Sequence, residues 1–172
     1  DLKLPKGSII FPCDEYDVAG ETHNFCGMRV FDYDETLFPM EKRVIQCNVL
    51  QNDENYAYWF GLKNNISLYN QEKQRLADDL RLRIEKKYPQ LEGKLIVLGT
   101  YSPVTFTTWC NAYKGSYMSF NPQKGYKNKY VKSTIKGLNN LYLASQWIQT
   151  SGGLPIAAAS GKFAIDIMKS SR

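Results

Sequence analysis

The residues whose types and spacing could do chemistry lie close to the C-terminus. Asn140-Leu141-Tyr142-Leu143-Ala144 is a short apolar run, and Ser145-Gln146-Trp147 follows it. After residues 148–151 come Gly152-Gly153-Leu154-Pro155 and then the small residues Ala157-Ala158-Ala159-Ser160-Gly161 ahead of Lys162. Read physically, a buried strand runs into a loop, and the chain turns at two glycines into a helix. Glycine has no Cβ, so another group can lie against its backbone. A helix start offers N–H groups with no intrahelical partner and the positive end of the helix dipole. Such an end favours an anionic or carbonyl group of a ligand by about 0.3–2 kcal/mol, according to burial. The same spacing also serves a helix that uses Gly-Gly only as a turn and packs through its alanines. The residues alone leave both readings open.

Other constellations carry less. His23 is the single histidine, and without a second histidine or a C-x-x-C pair no zinc site or His-based triad can be assembled, so no metal is expected. Asp14, Glu15, Asp17 and Glu21, with Asp32, Asp34 and Glu35 after them, lack EF-hand spacing and read as solvated loop carboxylates. Cys13, Cys26, Cys47 and Cys110 are scattered, mostly in apolar surroundings, and read as reduced thiols of a cytosolic protein. Trp109 and Trp147 could line an apolar channel or could be core residues.

The elements that must position these residues follow from periodicity. Ser8–Phe11 and His23–Phe31 read as strands, the second with Phe25, Gly27, Arg29 and Phe31 on one face. In Lys42–Leu50, Ile45, Cys47 and Val49 alternate with Gln46 and Asn48, the mark of a half-buried strand. Asp32–Glu41 reads as the connecting loop. Tyr56–Phe60, behind a turn at Asn52–Asn55, reads as a further strand. From Asn70 to Tyr88, Leu76, Leu80 and Ile84 recur every four residues amid charged side chains. That predicts one long surface helix, capped at Asn70 and ended by Pro89. Leu95–Leu98 reads as a buried strand, Leu138–Ala144 as another, and Leu154–Met168 as a helix. The fold class is therefore α+β: mostly antiparallel sheet, one long surface helix and a terminal strand-loop-helix unit.

At 172 residues the chain is one domain or a domain with part of another. Hydrophobic residues at 43% and charged residues at 23% are ordinary for a globular protein. No apolar run approaches the roughly 20 residues of a membrane span, and Asp1–Pro5 lacks a signal-peptide pattern. The chain begins without Met, as an excerpt of a longer polypeptide would. The net charge of +5 is mild, and much of it lies between Lys114 and Lys136, interleaved with Tyr113, Tyr117, Phe120, Tyr126 and Tyr130. Lysines among rings could serve single-stranded nucleic acid. No nucleic-acid motif accompanies them, so a solvated loop is the reading preferred and no nucleic-acid partner is expected.

Taken together, the terminal residues resemble the C-terminal flavin-binding motif of the phytoene desaturase, carotenoid isomerase and retinol saturase group. That motif is an apolar strand, a small residue with Gln or Asp, a bulky residue, a short loop, paired glycines, Leu/Val-Pro, and Ser-Gly with a basic residue. Ser145-Gln146-Trp147, Gly152-Gly153-Leu154-Pro155 and Ser160-Gly161-Lys162 match it in order and spacing. Tyr101-Ser102-Pro103-Val104-Thr105 with Gly115-Ser116 is similar to an upstream part of the group. Lys42–Ile45 and Tyr69–Lys73 are similar to its substrate-domain strand and helix. Ser145 stands where the group usually has Gly, and Ser151 where a third Gly is frequent.

The resemblance implies the C-terminal part of a FAD-dependent oxidoreductase, with residues 1–137 as a substrate-binding domain and 138–172 as the last strand and helix of the FAD-binding domain. It implies flavin contacts from Ser145, Gln146, Gly152, Gly153, Leu154 and Pro155, substrate contacts from Trp147 and Trp109, and no acid or base that can be named. The substrate would be an apolar polyene or lipid-like molecule. The protein would be cytoplasmic, with contact at a membrane surface allowed for. None of the 12 glycines forms the G-x-G-x-x-G turn that clamps a dinucleotide pyrophosphate, so this chain alone is expected to hold FAD poorly. The alternative is a non-catalytic binding module on the same sheet.

Overall fold

The computed structural model describes residues 4–33, 36, 42–119, 124–125, 131–150 and 152–170. They form two compact units, Asp1–Gly115 and Ser116–Arg172. The boundary drawn at residue 137 from the sequence falls inside the second unit.

The first unit is an α+β body. Strands β1 (Gly7–Val18), β2 (Glu21–Phe31) and β3 (Val44–Cys47) make an antiparallel sheet in the order β1-β2-β3. Val18 pairs with Glu21, leaving a two-residue turn in which Ala19 and Gly20 both have positive φ, 55° and 82°. That is the turn type whose twist suits a hairpin. The carboxylates expected on loops thus lie on a hairpin instead: Asp14, Glu15 and Asp17 are exposed on β1, and Glu21 opens β2 half-buried. Pro12 pairs with Phe25 and Tyr16 with His23, so Cys13, Asp14 and Glu15 together face Asn24 in a bulge. Pro12 is tolerated because β1 is an edge strand.

The bulge leaves carbonyls free, and the long helix supplies their donors. Helix α2 (Ile66–Lys87) sends the Arg83 guanidinium to the Asp14 and Glu15 carbonyls at 3.2 and 2.8 Å, and Arg75 to the Asp17 carbonyl at 2.9 Å. Arg83 also lies over the Tyr16 ring, 4.6 Å from its centroid. Beneath these polar ties, Leu76 and Ile84 are buried against the inner face of the sheet, where Phe11, Tyr16, Val18, Cys26, Met28 and Val30 sit, and Ala77 is buried too. The expected stripe is therefore the buried one. The inner face of β2 carries Cys26, Met28 and Val30, and Phe25 points away and is exposed. The helix starts earlier than expected: Asn65, not Asn70, is its cap and accepts from Leu68 N at 3.2 Å. It ends at Lys87, two residues before Pro89.

Residues 56–60, expected as a strand, belong to helix α1 (Asp53–Leu62). Asn52 accepts from Glu54 N and Asn55 N, while the Asn55 side chain accepts from Asn52 N at 2.7 Å. This reciprocal cap sets a helix and outweighs the β preference of Tyr56, Tyr58, Trp59 and Phe60. Trp59 is buried and donates its indole N–H to Gln51 at 2.9 Å. Residues 95–98, expected as a buried strand, form no regular element and have no ladder partner among the described residues. Leu95 packs against the core, whereas Ile96 and Leu98 are 80% and 85% exposed. A short helix α3 (Pro103–Cys110) follows, in a stretch with no period in the sequence; Ser102 and Thr105 cap it.

In the second unit the expected strand at 138–144 is only a bridge, Thr134 with Tyr142, supported by Leu143 N donating to the Ser133 carbonyl at 2.7 Å. The expected terminal helix is α4 (Gly153–Ser170). Among the described residues no helix is long and apolar enough to cross a membrane.

Candidate cofactor site at the start of the terminal helix

The second unit brings Ser145, Gln146, Gly152, Gly153 and Ser160 together, and it does so through polar bonds. Ser160, buried in α4, accepts from Ser145 N at 3.0 Å and donates to the Ala157 carbonyl at 2.9 Å. The Ser145 hydroxyl accepts from Trp147 N at 3.2 Å, capping a short turn at Gln146–Ile148. The serine where the flavoenzyme group usually has glycine therefore has a local task. Lys162, the basic residue of the motif, pairs with Asp166 on the exposed side of α4.

Gln146 joins three segments. Its Oε1 accepts from Gly153 N at 3.0 Å, and its Nε2 donates to the Tyr117 carbonyl at 3.4 Å. Gly152 and Gly153 both have positive φ, 58° and 86°, which makes the sharp entry into α4. A Cβ on Gly152 would lie 2.7 Å from both N and Cβ of Ser119, so the space beside it already holds that serine. A Cβ on Gly153 would meet only ordinary contacts, with Pro155 and Met118.

The donors at the helix start are accounted for one by one. Gly152 N donates to the Gln149 carbonyl at 3.2 Å, Gly153 N donates to Gln146, and Pro155 has no N–H. Leu154 N–H has no partner among the described residues, and its side chain is 86% exposed. Among the described residues this leaves one backbone donor at the start of an 18-residue helix, beside the exposed Leu154 side chain. A helix start of this kind favours a carbonyl or anionic oxygen.

Of the remaining site residues, Trp147 is half-buried in the second unit. Trp109 is on α3 of the first unit, 71% exposed and edge-on to Tyr101 at 5.6 Å, so it is not a core tryptophan. The upstream motif turns out to be local architecture: Ser102 caps α3 and bonds the buried Tyr69 hydroxyl at 2.6 Å. Of the lysine–tyrosine stretch, residues 120–123 and 126–130 lie outside the described residues, as do Asp34 and Glu35. Lys114 is paired with Asp53 at 2.6 Å. Among the described residues no group of three or more His, Cys, Asp or Glu side chains is placed to hold a metal ion.

The sequence reading missed Ser119. It is 6% exposed, its hydroxyl is buried without a partner, and it is pressed against Gly152. Nothing in its neighbourhood in the chain marks it, since the contact spans 33 residues of sequence without a period. Compared with family models, curated proteins and solved structures, the chain matches none.

Proposed function

We propose that this chain is the substrate-facing and flavin-ring-facing part of a FAD-dependent oxidoreductase of the phytoene dehydrogenase-related type. The observation that carries the reading is the preset start of α4, with two positive-φ glycines, the Gln146 cap and a Leu154 N–H that has no partner among the described residues. These residues fit the edge of an isoalloxazine ring, which needs a backbone donor at its carbonyl and apolar contact on its face. Leu154 N–H would donate to the cofactor, and the Leu154 and Pro155 side chains would lie against it. Gly153 would give the close approach, since the space beside Gly152 is filled by Ser119. The redox chemistry, a hydride moved to or from an apolar polyene or lipid-like substrate, would be the flavin's own.

The first unit would select that substrate. The outer face of its sheet leaves Ile10 and Phe25 more than half exposed, and Trp109 and Tyr101 form an exposed aromatic pair. Apolar surface of this kind suits a long hydrocarbon chain. We place the protein in the cytoplasm, working at a membrane surface where such a substrate dissolves. The dinucleotide clamp that the sequence lacks would come from an upstream segment of the same polypeptide. Visible flavin absorbance of the product expressed with its upstream coding sequence tests the reading. A colourless product that gains no flavin on refolding with FAD overturns it and leaves a non-catalytic binding module.

A further inference from the structure

We infer that Cys26 and Cys47 form a reversible disulfide that fastens the edge strand β3 to the centre of the sheet, with a low-molecular-weight disulfide such as oxidised glutathione as the oxidant. The pair lies within the first unit and is independent of the flavin reading above.

The strand register places the two thiols. Met28 pairs with Cys47, and Asn48 N donates to the Gly27 carbonyl at 3.3 Å. Met28 and Cys47 are therefore a non-hydrogen-bonded pair, the kind whose side chains stand closer. Cys26 is two residues from Met28 and shares its face, so it is the diagonal neighbour of Cys47, and both pack in one apolar cluster. Diagonal neighbours lie about 7–8 Å apart at Cα, and a relaxed disulfide spans at most about 7 Å. Closing the bond thus takes a movement of about 1 Å. The strand β3 can make it, being an edge strand held by four pairs, whereas β2 is paired on both sides. The bond so formed is strained, and strained disulfides are the ones readily reduced again. Cys13 packs on the same cluster but lies in the β1 bulge, which Arg83 anchors to α2 through the Asp14 and Glu15 carbonyls.

Exposure sets the order of events. Cys47 is half-buried and Cys26 fully buried, so the oxidant meets Cys47 first. The Cys47 thiolate attacks one sulfur of oxidised glutathione, breaks its S–S bond and releases one glutathione thiolate, leaving a mixed disulfide. Cys26 then gives up its proton and attacks Cys47 Sγ, displacing the second glutathione thiolate. Two protein thiols are oxidised, one glutathione disulfide is reduced to two thiols, and the two protons pass to the glutathione released.

The test uses the full chain carrying Cys110→Ser, which removes the exposed thiol on α3. The protein is equilibrated in glutathione buffers of rising oxidised fraction, quenched with acid and N-ethylmaleimide, and read by intact and peptide mass. It should lose two of its three remaining thiols, carry no bound glutathione, and regain both thiols in excess reduced glutathione. In the same background Cys13→Ala should oxidise as before, and Cys47→Ala should keep Cys26 reduced. Cys26→Ala should stop at a glutathione adduct on Cys47, seen as added mass. A bridge through Cys13, three free thiols at the most oxidising ratio, or a bridge that survives excess reduced glutathione would each overturn the inference. Should Cys26→Ala fail to fold, the other two variants decide alone: bridging to the same extent in Cys13→Ala and Cys47→Ala overturns it, and bridging in Cys13→Ala only supports it.

Discussion

A Cβ placed on Gly115 would stand 2.1 Å from the carbonyl oxygen of Pro103 and 2.6 Å from its Cα, although the two residues are separated by a whole helix. Gly115 also has φ of 72°, a region that side chains rarely adopt. The glycine closes the chain back on the N-terminal turn of α3. That turn in turn receives the Tyr69 hydroxyl from α2 through Ser102. One backbone contact thus ties the end of the first unit to its long helix.

Gly115→Ala is accordingly expected to destabilise the first unit by about 3 kcal/mol or more, strain and overlap acting together. Gly61→Ala is the control. Gly61 lies within α1, has no positive φ, and has open space where the methyl would go. It should stabilise by about 0.5–1 kcal/mol, the helix propensity difference. Urea unfolding of both variants, followed by circular dichroism, checks the pair; a Gly115→Ala midpoint equal to wild type would contradict the packing described.

How much of this could be read from the chain depended on whether a periodic signal existed. Val44–Val49 and the Leu76–Ile84 stripe repeat with the period of their own element, so pattern and structure agree. Tyr56–Phe60 has the aromatic content of a strand, but the short-range Asn52–Asn55 cap ahead of it sets a helix. Leu95–Leu98 went wrong for another reason: an apolar run states a preference for burial and says nothing of what covers it. The Arg83 contacts to the β1 bulge span 68 and 69 residues, and no local pattern encodes them. At the candidate site the glycine turn was legible, since paired glycines ahead of small residues have few other uses. Ser119 and the Tyr117 carbonyl were not, because they reach the turn only through the folded unit.

The exposed run makes a prediction of its own. Ile96→Lys should change stability by no more than about 0.5 kcal/mol, because the side chain is 80% exposed and loses no core contact. Leu95→Lys, one residue earlier and packed on the core, should cost about 2 kcal/mol or more. Thermal unfolding of the two variants distinguishes them, and equal losses would contradict an uncovered residue 96.

Thiol reactivity should follow position. Cys110 is exposed on α3, Cys13 and Cys47 are half-buried, and Cys26 is fully buried. The neighbouring Cys47 thiol and burial hold the Cys26 thiol well above its usual range. Burial raises Cys13. Maleimide labelling of native protein, read by peptide mass, should modify Cys110 first and Cys26 only on global unfolding. Early modification of Cys26 would show that the sheet opens locally.

Acid stability should carry the mark of Glu72. Its carboxylate is bound by both arms of Arg75, at 2.7 and 2.8 Å, which lowers its pKa in the folded protein. A folded pKa below the unfolded one means the unfolded chain binds the proton more readily. The stabilisation is therefore full above the unfolded value of about 4.3 and is lost as pH falls through the folded one. Glu72→Gln should flatten the fall in stability below about pH 4.5. It should also lower stability at neutral pH, where among the described residues Arg75 keeps Asp79 as its ionic partner. An unchanged acid limb in a pH series of urea unfolding curves would remove Glu72 from the account.

A buried hydroxyl ties two segments of the second unit together. Ser160 is 2% exposed; it accepts from Ser145 N and donates to the Ala157 carbonyl, pinning the turn before Trp147 to α4. In Ser160→Ala the Ser145 N–H loses its acceptor in a half-buried site, at a cost of about 1–3 kcal/mol. The Ala157 carbonyl already belongs to the helix ladder and loses little. Ser160→Thr retains the hydroxyl but adds a methyl group where there is no room, so it should rescue only in part. Amide exchange followed by mass spectrometry locates the effect. Faster exchange should be confined to residues 145–149 and the first turns of α4, with α2 unchanged. Exchange that rises uniformly through both units would mean that Ser160 supports the whole chain, and would remove the local role assigned to it.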